Sequence, residues 1–319
     1  MNTCPSCDTP VLPDDRFCEA CGTPLTTTHS PPSIRGSTAT CAKCGSAELD
    51  AAGYCIQCGF RNLDRGSNER IEIARSPVFA GVSDPGVRYS YNQDFVALQT
   101  LDSTHILVVC DGVSSSHAPD RASQIVAETI VQQITEQLQY ASAETAIRVA
   151  MQAAFRAVSK LPYPADTEPP STTFVGAIVR GKTATIAWLG DSRAYWISPQ
   201  KGRQLTQDHS WLNEVVSLGK MSEAEAKSTG NAHAITRWVG KDASDDAEPE
   251  IIQFEMPDRG YLLLCSDGLW NYAATAEQLM DLVRSIEAKD AMDISLKLVD
   301  YARSRGGHDN ITVALLQIE

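Results

Sequence analysis

The chain has 319 residues, 43% of them hydrophobic and 21% charged, with a formal net charge of −13. That length and balance suit one large globular domain with a smaller appendage. No apolar run approaches the ~18 residues of a membrane span, and no basic stripe marks a nucleic-acid binder. With no basic-then-apolar signal peptide either, the expected location is the cytoplasm.

Eight of the ten cysteines come before residue 59, as Cys4 and Cys7, Cys18 and Cys21, Cys41 and Cys44, and Cys55 and Cys58. Each half reads C-x2-C-x10-C-x2-C, and the second half repeats the first at an offset of 37, with Gly22 and Gly59 after the last cysteine of each. So regular a repeat indicates two copies of one small unit. Two C-x2-C knuckles supply four thiolates to one tetrahedral ion, and a site closed by four sulfurs is structural because no position stays open. A unit this short lacks an apolar core, so the metal must supply its folding energy. A disulfide framework would need an oxidising compartment. The spacing therefore predicts two structural zinc ions, in ribbons at residues 1–25 and 41–62. Cys55 to Arg61 also spells the C-x5-R phosphate loop of thiol phosphatases, but that cysteine belongs to a knuckle.

Residues 1–65 carry five Lys/Arg and seven Asp/Glu, and two tetrathiolate zinc sites add about −2 each. The expected module is anionic and suited to a protein surface, not to a phosphate backbone. Residues 26–40 read as a Ser/Thr/Pro-rich linker, 63–77 as a second connector and 78–319 as one large domain.

In that domain, 95–99 and 105–110 read as strands, and 120–138 and 142–159 as amphipathic helices. Strands follow at 173–179, 183–189 and 194–197, helices at 208–218 and 222–228, and strands at 251–254 and 261–265. Helices at 276–286 and 291–303 lead to a last strand at 311–318. Strands in runs with helices in pairs predict an α+β fold, with two antiparallel sheets sandwiched between helix pairs.

The chemistry lies in aspartates. Two apolar runs, 106–110 and 261–265, each end in Asp-Gly, at Asp111-Gly112 and Asp267-Gly268. Glycine permits close backbone approach, and a strand-end carboxylate suits oxygen coordination of a hard cation. Asp94 closes Asn92-Gln93-Asp94, and Asp309 directly precedes the last strand. A single Asp-Gly would be an ordinary turn; the whole set points to one shared cation site.

The segments Asn92-Gln93-Asp94, Val109-Cys110-Asp111-Gly112, Ser171-Thr172-Thr173, Gly190-Asp191-Ser192-Arg193, Asp208-His209-Ser210, Ser266-Asp267-Gly268 and Asp309-Asn310-Ile311-Thr312-Val313 stand in the order of a known family. Residues 78–319 resemble the type 2C (PPM) metal-dependent protein serine/threonine phosphatases in their bacterial form. The resemblance implies a sandwich with a two-metal centre of manganese or magnesium at one end. Asp111 would bridge the ions, Asp267 and Asp309 would complete one site, the Gly112 carbonyl would serve the other, and Asp94 would be a ligand directly or through water. A metal-bridging hydroxide would attack the phosphoserine or phosphothreonine of a protein substrate, opposing a serine/threonine kinase. Asp166 offers a ligand for a third ion, and Asp191 and His209 are expected to be structural.

Two departures stand out. Gln93 replaces a frequent glutamate, leaving an amide oxygen that could still ligate. Arg88, the candidate phosphate ligand, lies one residue nearer Gly86 than the family's arginine, and Tyr89 takes that place. On a strand such a shift reverses the side-chain face. The departures admit an alternative, a pseudophosphatase that binds phosphoproteins or acts as a scaffold through its ribbons.

Overall fold

The computed structural model describes residues 70–319 except 90, 233, 244–246, 258 and 288–289, together with Asn2–Thr3 and Pro10–Val11. Those two short segments, β1 (Asn2–Thr3) and β2 (Pro10–Val11), pair antiparallel. The eight cysteines assigned to zinc and the 26–40 linker lie outside the described residues.

The large domain opens with β3 (Ile71–Ser76) and β4 (Phe79–Asp84), then β5 (Asp94–Leu101) and β6 (Thr104–Asp111). Helices α1 (Pro119–Gln137) and α2 (Ala143–Val158) follow. Then come β7 (Ser171–Thr172), β8 (Phe174–Arg180), β9 (Thr183–Leu189), β10 (Arg193–Ile197) and β11 (Gly202–Gln204). Two short helices, α3 (Trp211–Ser217) and α4 (Glu223–Lys227), precede β12 (Val239–Gly240), β13 (Glu250–Glu255) and β14 (Gly260–Cys265). One turn of helix, α5 (Asp267–Trp270), leads to α6 (Ala276–Ser285), α7 (Ala291–Ser304) and β15 (Ile311–Ile318).

Two antiparallel sheets result, ordered β11-β10-β14-β15-β4-β3 and β13-β9-β8-β6-β5, and β7 pairs with β12 beside them. The period-2 alternation of strand side chains builds three apolar layers. From β6, Leu107 and Val109 join Leu262 and Leu264 of β14 and Ala314 and Leu316 of β15 between the sheets. The alternate residues Ile106, Val108 and Cys110 face α1 and α2, where Val126, Ile130, Ile147 and Met151 meet them. On the other outer face Leu263, Cys265, Val313 and Leu315 pack on Leu279, Leu298 and Val299 of α6 and α7. The architecture is the expected sandwich of two sheets between helix pairs. No helix among the described residues is long and apolar enough to cross a membrane.

Two local readings change. The stretch read as connector contains Ile71–Ser76, a strand of the six-stranded sheet, so that sheet begins at Ile71. Its neighbour β4, likewise not expected as a strand, carries Gly81, where a Cβ would meet the Val96 side chain at 2.8 Å. Glycine inside a strand hides the strand signal while making room for the facing sheet. The helix expected over 208–218 starts only at Trp211. Ser210 is extended and caps it, and Asp208 is drawn off to Arg193 through bonds of 2.8 and 2.7 Å.

Leu264 has no exposed surface and sits between the sheets. Leu264→Ala should destabilise the domain by about 2–5 kcal/mol, whereas Tyr140→Ser, at a side chain 87% exposed, should stay within about 0.5 kcal/mol. Urea unfolding of the two variants checks both.

Candidate metal centre at the end of the sandwich

The same alternation places the carboxylates. Asp94 opens β5 directly across from Asp111, which closes β6. Both continue the inward rows of their strands, Asp94 that of Val96 and Leu98, Asp111 that of Leu107 and Val109. Asp267 begins α5 just past β14, and Asp309 comes two residues before β15. The inter-sheet core therefore ends in carboxylates.

Asp111 is their common neighbour, close enough to feel the charges of both Asp94 and Asp267. Burial, then the charges of Asp94, Asp267, Asp309 and Asp191, push Asp111 well above the usual carboxylate range. Burial raises Asp94 to about 6, against the pull of hydroxyls from Ser266 and Thr312. Burial and the charges of Asp191 and Asp94 raise Asp267 to about 8. Asp267 Oδ1 is buried with no hydrogen-bond partner, and its Oδ2 receives only a 3.2 Å bond from the Asn271 amide. Asp309 Oδ1 accepts the Asn310 N–H at 2.8 Å, and its charge acts on Asp111 and Asp191. Among the described residues no three His, Cys, Asp or Glu side chains stand close enough together to hold a metal ion as they lie. The cluster is nonetheless rich in hard oxygen donors short of positive charge, which suits magnesium or manganese.

A buried polar network fixes this end of the sandwich. Asn92 Nδ2 donates to Ser83 Oγ at 2.8 Å, Ser83 Oγ stands 2.6 Å from Thr312 Oγ1, and Thr312 Oγ1 donates to Asp94 Oδ2 at 2.7 Å. Ser266 Oγ donates to the same oxygen at 2.7 Å and accepts the Thr312 N–H at 3.0 Å. Asn310 Oδ1 accepts the Gln93 N–H at 2.8 Å while its Nδ2 donates to the Pro85 carbonyl at 2.9 Å. The Asp111 carbonyl accepts from Thr173 N–H and Thr172 Oγ1, both at 2.7 Å. Sequence reasoning left Ser83, Ser266 and Thr312 without a role, although each lies within two residues of a motif aspartate or on a strand beside one.

Both Asp-Gly glycines serve close approach; neither has positive φ. A Cβ on Gly112 would meet the Pro119 carbonyl oxygen at 2.5 Å, and one on Gly268 the Asn310 oxygen at 1.9 Å. The Gln93 amide is engaged, its Oε1 accepting from Ser114 Oγ at 2.9 Å and its Nε2 donating to Tyr91 at 3.0 Å. Asp191 is buried, with burial and Asp208 raising it to about 7. Its carbonyl accepts from Trp270 Nε1 at 3.0 Å. His209 Nδ1 accepts the Gly190 N–H at 3.0 Å, leaving Nε2 to face Glu250 at 3.1 Å, so this histidine is structural. Asp166 is exposed. Arg88 lies in the turn after β4 and not on a strand, so the face-reversal argument does not apply to it. A cleft of about 550 Å³ beneath α3 and α4 touches the cluster only through Asp191.

Residues 87–311 match the family model described as Protein phosphatase 2C, and residues 4–59 the one described as Double zinc ribbon. The chain is 29% identical over 236 residues to the serine/threonine phosphatase stp of Listeria innocua, covering 72% of this chain and 91% of that protein. The solved serine/threonine phosphatase of S. agalactiae aligns with TM-score 0.64 at 28% identity, covering 74% of this chain and 97% of that one. The catalytic domain of PstP, solved in complex with two manganese ions, shares the fold with TM-score 0.62 at 24% identity, covering 76% of this chain and 98% of that one.

The raised carboxylates give the metal-free protein a definite pH response. Their folded-state pKa values lie above the unfolded ones, so their contribution to stability is greatest near pH 4 and is lost as pH rises through about 6 for Asp94 and about 8 for Asp267. Between pH 5 and 8 the metal-free melting temperature should fall, and Mn²⁺ should restore more at pH 8 than at pH 6. Asp111→Asn should melt higher than metal-free wild type at pH 8, by roughly 2–4 °C per kcal/mol of repulsion relieved. Melting points of wild type and variant that coincide throughout this range would show that the carboxylates do not repel. Gly268→Ala should force apart the segments carrying Asp267 and Asp309, weakening Mn²⁺ binding by about tenfold or more in a direct titration.

Proposed function

The chain belongs to the protein phosphatase 2C family, and on that premise we propose that its hydrolytic centre is the cluster of Asp94, Asp111, Asp267 and Asp309. The protein is a metal-dependent serine/threonine protein phosphatase. The observation that carries the site assignment is the unpartnered, buried Oδ1 of Asp267 beside carboxyls whose charges on Asp111 are all of one sign. A fold spends free energy to bury like charges, and a pair of divalent cations removes that cost.

We assign Asp111 the position shared by two manganese or magnesium ions, Asp267 and Asp309 to one of them, and Asp94 and the Gly112 carbonyl to the other. Bound there, such ions would draw in the phosphoryl oxygens and acidify an attacking water. The protein's own part is to deliver the carboxylates on rigid strand and helix ends and to release the protons that burial keeps on them as cations enter. Ser266 and Thr312, bonded to Asp94 Oδ2 at 2.7 Å each, hold that carboxylate in orientation. Cys110 and Cys265 face the helix layers, and burial pushes both thiols up, so neither supplies a nucleophilic thiolate.

The substrates are proteins carrying phosphoserine or phosphothreonine, placed there by a serine/threonine kinase. The double zinc ribbon, with one tetrathiolate zinc ion per repeat, serves partner recognition or docking. The pseudophosphatase alternative finds no support, since the relatives this chain matches are named serine/threonine phosphatases.

Phosphate release from a phosphothreonine peptide under Mn²⁺, Mg²⁺ and Zn²⁺ tests this reading. Turnover is expected with Mn²⁺ or Mg²⁺, both in the full chain and after removal of residues 1–69. The cut must spare Arg70, which pairs with buried Asp84 at 3.1 Å. Asp111→Asn should lose more than the roughly 100-fold that outer partners of a metal site are worth. No phosphate release with both cations verified as bound would refute the assignment.

A further inference from the structure

We propose that His308 is a positioning residue that holds Arg88 at the rim of the carboxylate cluster, where the Arg88 guanidinium receives the phosphoryl group. The proposal rests on the phosphatase reading above and adds a residue to which the motifs assign no part.

The chain leaves β4 at Asp84 and turns at Gly86, whose φ is +75°. A Cβ on Gly86 would lie 2.2 Å from the Asp309 carbonyl oxygen, and Val87 N–H donates to the Gly307 carbonyl at 2.9 Å. The turn that carries Arg88 is thus laid against the strip that carries Asp309. It is clamped from below by buried Asp84, whose Oδ1 accepts the Gly86 N–H at 2.8 Å and the Arg303 guanidinium. Arg303 also donates to the Gly86 carbonyl at 2.9 Å.

At the end of this turn an Arg88 terminal nitrogen stands 2.6 Å from His308 Nε2. A guanidinium has donors only, so His308 Nε2 is the acceptor and its ring carries the proton on Nδ1. The imidazole is itself fixed. Its backbone N–H donates to Tyr272 Oη at 2.9 Å, and its ring stands edge-on to Tyr272 at 6.1 Å. It also lies over Gly306, where a Cβ would meet Nε2 at 2.7 Å. Tyr272 therefore orients His308, and His308 orients Arg88.

This arrangement answers the one-residue displacement of the arginine. Tyr89, at the family's arginine position, instead meets Ser114 Oγ at 3.3 Å, on the segment that follows Asp111-Gly112. A long arginine side chain loses rotamer freedom when it binds phosphate, and a partner that orders it beforehand lowers that loss. One nitrogen is engaged by His308, which leaves the other edge of the fork for phosphate oxygens.

The test measures kcat and KM of the full-length protein with Mn²⁺ on a phosphothreonine peptide. Arg88→Ala should raise KM about tenfold or more, the worth of a charge-assisted bond. His308→Ala should raise KM several-fold with a smaller change in kcat. The double variant should be no worse than Arg88→Ala alone, because the two act as one unit. His308→Gln, whose amide oxygen can accept from Arg88, should recover much of the loss. If His308→Ala does not fold, His308→Phe keeps the ring against Tyr272 without an acceptor and should show the same rise in KM. A wild-type KM in His308→Phe, or additive effects in the double variant, would overturn the proposal while leaving the phosphatase reading intact. Absence of turnover in wild type with cations bound would instead strike that reading.

Discussion

Four carboxylates carried at one end of a sandwich, Asp94 buried and Asp111, Asp267 and Asp309 half-buried, are the constraint around which the rest of the domain is organised. Two like charges about 4 Å apart interact by roughly 4 kcal/mol even at an effective dielectric constant near 20. Asp111 feels Asp94, Asp267, Asp309 and Asp191 together. Burial is the first reason that Asp94, Asp111 and Asp267 are all raised, and for Asp111 and Asp267 the neighbouring carboxylate charges add to it. On the proposed assignment, cations and protons would compete for the same oxygens, which would link folding, pH and catalysis through one site.

The apolar layers make this end rigid, and the polar network makes it specific. Leu107, Val109, Leu262 and Leu264 carry the inter-sheet packing up to the residues that turn into Asp111 and Ser266. Beyond them the hydroxyls of Ser83, Thr312 and Ser266 and the amides of Asn92 and Asn310 bond strands of both sheets together. Such a chain polarises along its length and orients Asp94 more firmly than one contact would. Gly112 and Gly268 complete it, letting backbones come closer than any side chain would allow.

Much of this could be read in the sequence because strand-end geometry is local. The apolar runs ending in Asp-Gly announced where Asp111 and Asp267 would stand, and the helix stripes announced which faces they would cover. What could not be read depends on distant partners. Ser83 and Thr312 meet across 229 positions, and no spacing rule connects them. The strand containing Gly81 was hidden because its small residues serve the facing sheet. The late start of α3 follows from the pull of Arg193 on Asp208, 15 residues away. Strand parity misleads for Arg88 because the chain turns there, so the His308 contact emerges only from the fold. The ribbon cysteines remain a matter of spacing and of the family match over residues 4–59.

Anomalous diffraction from crystals grown with Mn²⁺ tests the central claim most directly. Two adjacent manganese peaks sharing Asp111, with Asp267 and Asp309 on one and Asp94 and the Gly112 carbonyl serving the other, are the predicted result. A cluster without manganese, its carboxyls still facing one another while the ions sit elsewhere on the domain, would contradict it.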